Sequence, residues 1–127
     1  GLWYTTYDYR IQMRDQMVEM YQQLPNPIPP IEDDYGVHQR WLVFYIDGVK
    51  VLNKPQPENV INEYKKALEK EGWATEREYE HVRNDKNKIY GINMRKGEFI
   101  LSVSARENRD SINIHLIKRD WIYNKGF

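Results

Sequence analysis

Cysteine is absent from this chain of 127 residues, which excludes disulfides, thiolate metal sites and cysteine nucleophiles. Net charge is absent as well. The 19 Lys and Arg balance 19 Asp and Glu, so no global field draws the chain to nucleic acid or to an anionic membrane. No apolar run in the sequence is long enough to cross a bilayer. Histidine is sparse: His38, His81 and His115 lie far apart in the chain, without the spacing that puts two ligands on one helical turn, so no metal site is expected. The chain also lacks a Ser-centred nucleophile elbow, a Gly-rich phosphate loop and a dinucleotide fingerprint. That removes the common signatures of hydrolases, nucleotide binders and dehydrogenases, and no cofactor is expected.

The length suits one domain with one core. Charge is unevenly spread: residues 82–119 hold nine basic and four acidic side chains, whereas Glu32, Asp33 and Asp34 lean the other way. Such a bias reads as two solvated faces of opposite character. At the start, Gly1 is followed by Leu2, Trp3, Tyr4, Tyr7 and Tyr9. Trp and Tyr favour the water–lipid boundary, so the expectation is a signal peptide or membrane anchor upstream and an extracytoplasmic domain, secreted or membrane-anchored.

Tyr9, Met13, Met17, Met20, Tyr21 and Leu24 recur at three- and four-residue steps and predict a helix over residues 7–23 with its Met-rich stripe in the core. Pro25-Asn26-Pro27-Ile28-Pro29-Pro30 ends that helix and forms a stiff spacer. Glu32, Asp33 and Asp34 read as a solvated loop. The expected division is therefore a helical segment over 1–24, a proline-rich spacer over 25–36 and an α+β domain over 37–127, with the first segment separable from the rest. Trp41-Leu42-Val43-Phe44-Tyr45-Ile46 is the strongest strand, and Asp47-Gly48 reads as a hairpin turn into Val49-Lys50-Val51-Leu52. Pro57 opens a second helix, lined by Val60, Ile61, Tyr64, Ala67 and Leu68, and Gly72 stops it.

Four strands in a meander follow. A Lys96-Gly97 turn pairs Arg95 with Glu98 and aligns Ile92 with Leu101, and a turn over 107–110 pairs Ala105 with Ile112 and Leu101 with Leu116. A turn near Asp85-Lys86 places Tyr79 beside Ile92. Together they put Tyr79, Tyr90, Ile92, Met94, Phe99, Leu101, Val103, Ala105, Ile112, Ile114 and Leu116 on one face, which the second helix should cover. The fold class is α+β: an N-terminal helix, then strand–helix–four-stranded antiparallel meander, in a cystatin-like or TATA-box-binding-protein-like order.

The other face carries the candidate site. Ile100 stands opposite Ile117, flanked by Asn93 and Glu78, and Glu80, Gly91, Ser102 and His115 share one cross-strand row. Binding is assigned to Ile100, Ser102, His115 and Ile117, with another protein as the partner. Cover by the first helix or by Trp121-Ile122-Tyr123 is the competing expectation. The function expected is a non-enzymatic interaction domain. The alternative is a small-ligand or enzymatic pocket inside a curved sheet, where Tyr64, Arg77, Tyr79, His81 and Tyr90 converge.

Overall fold

The computed structural model describes residues 2–40 and 43–118, with side chains from residue 8 onward. Two helices, α1 (Leu2–Gln22) and α2 (Pro57–Lys70), accompany six strands: β1 (Glu32–Arg40), β2 (Val43–Val51), β3 (Ala74–Val82), β4 (Lys88–Lys96), β5 (Phe99–Arg106) and β6 (Ser111–Lys118). The strands form one antiparallel sheet in the order β1-β2-β6-β5-β4-β3. The class is α+β, and the strand before α2 lies beside the last strand of the meander.

The second helix forms as its sequence dictates. Pro57 sits in the first turn, where its missing N–H costs nothing, and Val60, Ile61, Tyr64 and Leu68 bury one stripe. At the far end Gly72 takes φ 93°, which lets the Gly72 and Trp73 N–H groups donate back to the Glu69 and Leu68 carbonyls at 3.1 and 3.0 Å. Trp73 is then buried against the helix end.

One sheet face supplies most of the core: Phe44 and Ile46 on β2, Ile92 and Met94 on β4, Leu101, Val103 and Ala105 on β5, and Ile112, Ile114 and Leu116 on β6. Both helices cover this face, α1 against β2 and β6 and α2 against β5, β4 and β3. The Met-rich stripe is part of that core, with Met13, Met17, Tyr21 and Leu24 all buried. α1 is thus a packed layer of the same fold. The side chains of the opening aromatic cluster up to Tyr7 lie outside the described residues.

Two readings of residues 32–52 are corrected. Glu32, Asp33 and Asp34 are in β1, paired with Val51, Lys50 and Val49, so the spacer ends at Ile31. Asp47-Gly48 is in the middle of β2, where Gly48 pairs with Tyr35 on one side and Ile114 on the other. Gly48 is needed for close approach: a Cβ there would lie 1.8 Å from the Tyr21 phenol oxygen. The connection between β1 and β2 falls at Trp41 and Leu42, outside the described residues.

Lys50 shows how this end is fastened. Its side chain points into the core side of the sheet and is 4% exposed. There its ammonium donates to the side-chain Oδ1 of Asn26 and lies 3.3 Å from an Asp33 carboxylate oxygen. A buried cation needs such partners. They tie the proline segment and β1 to β2.

The meander also departs from its expected register. The turn after β4 is Gly97-Glu98, because Lys96 pairs with Phe99 and Gly97 supplies the positive φ (59°) at the first loop position. Met94 therefore faces Leu101 and Ile92 faces Val103, two residues away from the expected partners and still on the core face. The β3 correction has larger consequences. Tyr79 pairs with Gly91, not Ile92, and the register shifts between Thr75 and Arg77. A one-residue difference reverses a strand, so Tyr79 and His81 are on the outer face, while Glu78 and Glu80 face the helix side. There Glu78 meets Lys65 and Glu80 meets Lys88, each at 2.9 Å.

Candidate functional site

The face turned away from both helices is assembled by cross-strand pairing alone. Ile100 and Ile117 stand directly opposite each other on the two middle strands, one residue from the end of each, and Ser102 stands opposite His115. The four residues are thus brought together as two adjacent pairs, each partly exposed. Pairing extends both across the sheet. Tyr45 lies beside Ile117 and Arg95 beside Ile100. Asp47 lies beside His115 and Asn93 beside Ser102. Glu78, Glu80 and Gly91 are not in these two rows: the glutamates are on the other face, and Gly91 pairs with Ser104.

β2 contributes residues that were missed while Asp47 was read as a turn. The Asp47 carboxylate is 2.7 Å from His115 Nδ1 and 4.0 Å from His38 Nε2. The Tyr45 ring lies between the two imidazoles, its centroid 5.1 Å from His38 and 5.5 Å from His115. No alternation of polarity in the sequence marks them; the alternation appears only in burial along the nine-residue β2. Val43, Tyr45, Asp47 and Val49 alternate with buried Phe44, Ile46, Gly48 and Lys50.

Asp47, His115 and Ser102 lie in cross-strand order, which raises nucleophilic catalysis. The hydrogen bonds are not those of a relay. Ser102 Oγ donates to Asn93 Oδ1 at 2.8 Å, so the hydroxyl is engaged away from the imidazole. The neighbouring backbone N–H groups on β2, β6 and β5 belong to sheet pairs and are not free to stabilise an oxyanion. Among the described residues no group of three His, Cys, Asp or Glu side chains is placed to hold a metal ion.

The alternative pocket does not assemble as expected. Tyr64 is buried on α2 and Tyr90 is on the helix side of β4, whereas Arg77, Tyr79 and His81 are on the outer face of β3. The Tyr79 ring lies over Gly91, where a Cβ would come within 2.1 Å of it, with the Arg77 guanidinium 5.2 Å from the ring centre. Tyr79 and Tyr90 do border one cleft of about 230 Å³, shared with Glu58, Asn62, Glu78 and Glu80. Three carboxylates on its walls make it an acidic edge cleft.

Competing cover by the first helix is also removed, because α1 packs on the core face. Trp121-Ile122-Tyr123 lies outside the described residues. No helix among the described residues is long and apolar enough to cross a membrane. No family model matches the chain, and no curated protein or solved structure matches it.

Proposed function

We propose that this chain is a binding domain that docks a protein partner on the outer face of its sheet, around Ile100, Ser102, His115 and Ile117. One observation carries the reading. Both helices are on the opposite face, and the aliphatic pair Ile100 and Ile117 stands on the two central strands of the outer face, beside Tyr45. A solvated sheet face ordinarily alternates to polar side chains, and burying two isoleucines against a partner is worth roughly 3–5 kcal/mol before the costs of association. The adjoining row of Ser102, Asn93 and His115 supplies hydrogen-bonding groups beside it.

A photo-crosslinking residue introduced at Ser102 tests this in the full chain, with one at the exposed Lys66 on α2 as the control. The expected result is a crosslinked polypeptide from position 102 and none from position 66. Ile117→Lys should abolish that crosslink while leaving the melting temperature within a degree or two. Absence of any crosslink from position 102, or a large stability loss in Ile117→Lys, overturns the proposal; the latter means the chain covers this face itself and the lysine buries a charge.

A further inference from the structure

Resting on that reading of the outer face, we propose that its occupant is a second copy of this chain, seated face to face about a two-fold axis that runs along the strands between β6 and β5. The sheet has its centre there, since its order is β1-β2-β6-β5-β4-β3. Such an axis lays β1 and β2 of each copy over β3 and β4 of the other, and β6 over β5.

Charge on the outer face is arranged as this symmetry requires. The β1 and β2 side carries Glu32, Asp34 and Asp47, all exposed, and the β3, β4 and β5 side carries Arg77, Arg95 and the partly buried Arg106. Arg40 at the end of β1 and Glu76 at the bulge are the two exceptions. A surface that meets its own copy must be self-complementary, each patch finding its counterpart across the axis. Here the acidic half of one copy falls on the basic half of the other, twice.

The row that holds Ile100 and Ile117 fits in the same way. With β6 over β5, Ile117 of each copy lies over Ile100 of the other. With β2 over β4, Tyr45 lies over Arg95, a ring under a guanidinium, and the exposed Val49 meets the Tyr79 ring that lies over Gly91. Six strands spaced at about 4.8 Å and eight or nine residues long at about 3.3 Å each give a face of roughly 700–800 Å². That is about the area each partner contributes to a stable specific interface, and the aligned packing of two sheets is the ordinary geometry of a sandwich.

Sedimentation equilibrium of the full chain should give a concentration-dependent dimer. Two exposed-rim variants then test the symmetry. Asp34 of one copy falls over Tyr79 of the other, one outer-face row from Arg77, so Arg77→Glu brings a second negative charge beside Asp34 at both contacts and Asp34→Lys brings a second positive charge beside Arg77. Each alone should weaken the dimer by about tenfold or more with unchanged circular dichroism. An equimolar mixture of the two should recover a dimer, because both contacts of the mixed pair are again between opposite charges. A monomeric parent chain overturns the proposal, and so does a mixture that stays monomeric. The docking reading fails separately. If the parent is monomeric but the position-102 probe still captures a different polypeptide, the face binds a heterologous partner. If the parent is monomeric and Ile117→Lys unfolds readily, the face is covered within the chain.

Discussion

Leu101 and Ser102 are neighbours on β5, yet Leu101 is 1% exposed beneath α2 and Ser102 stands partly exposed on a face that neither helix touches. The same contrast holds along β6, where Ile114 and Leu116 are buried and His115 and Ile117 are not. On the core side each residue is constrained by volume, since it must fill space against Met17, Tyr64 or Leu68. On the outer side, among the described residues, only the pleat and the cross-strand neighbours constrain it. Substitutions should therefore separate into large stability effects on one side and small ones on the other.

The largest effect that sharpens this contrast comes from the core layer at the start of the chain. A chain beginning at Ile31 loses Met13, Met17, Tyr21 and Leu24 from the core. At roughly 1.5–3 kcal/mol per buried side chain, that loss is comparable to the whole stability of a domain this size. The expected outcome is loss of the cooperative unfolding transition in denaturant, and a retained transition would return α1 to the status of an appendage. Next comes Leu101→Ala, which should cost roughly 2–5 kcal/mol in urea melts. A cost near zero would break the assignment of the core face.

A third test uses the hydroxyl groups that the core leaves unpaired. The Tyr21 and Tyr64 phenols are buried with no hydrogen-bond partner. Burial, reinforced by the Asp33 carboxylate, holds both well above the ordinary tyrosine value of 10.0. In the unfolded chain both phenols ionise near that ordinary value, while in the fold they stay protonated. Their contribution is complete below pH 10 and is lost as pH rises from there toward the folded values, at about 1.4 kcal/mol per pH unit per phenol. The denaturation midpoint should fall steeply above pH 10, and the slope should flatten in Tyr21→Phe. An equal slope in that variant would show that the Tyr21 phenol is not held protonated.

How much of this was legible in the sequence depends on what set each register. The β5–β6 pairs, with Ala105 opposite Ile112 and Ile100 opposite Ile117, follow from a turn over 107–110 and are found as expected. The β4–β5 turn was misplaced by one residue, which moves partners by two and keeps every side chain on its face. The β3–β4 turn shifts partners by one, which reversed Tyr79 and His81 and separated the residues of the alternative pocket. Asp47-Gly48 carries ordinary hairpin chemistry, but a tertiary contact set it: the Tyr21 phenol occupies the place of a side chain at Gly48. A residue 27 positions away in sequence leaves no local trace. Ile100, Ser102, His115 and Ile117 could thus be grouped from the sequence, while Asp47, Tyr45 and His38 could not.

The smallest expected effect concerns the residue those missed neighbours surround. His115 and Asp47 are 44% and 55% exposed at the side chain, and they meet at 2.7 Å. An exposed pair of this kind is worth at most about 0.2–1 kcal/mol, because water screens it and both side chains lose freedom to form it. His115→Ala should therefore leave the unfolding midpoint nearly unchanged. If the outer face is a docking surface, the same variant acts elsewhere. It removes a ring beside Tyr45 and frees the Asp47 carboxylate next to the central isoleucines, so it should reduce crosslinking from position 102. The two measurements belong together: an unchanged melt with diminished crosslinking keeps the contrast between the faces. A melt lowered by several kilocalories would make His115 a member of a buried network and end the distinction between a packed side and an open one.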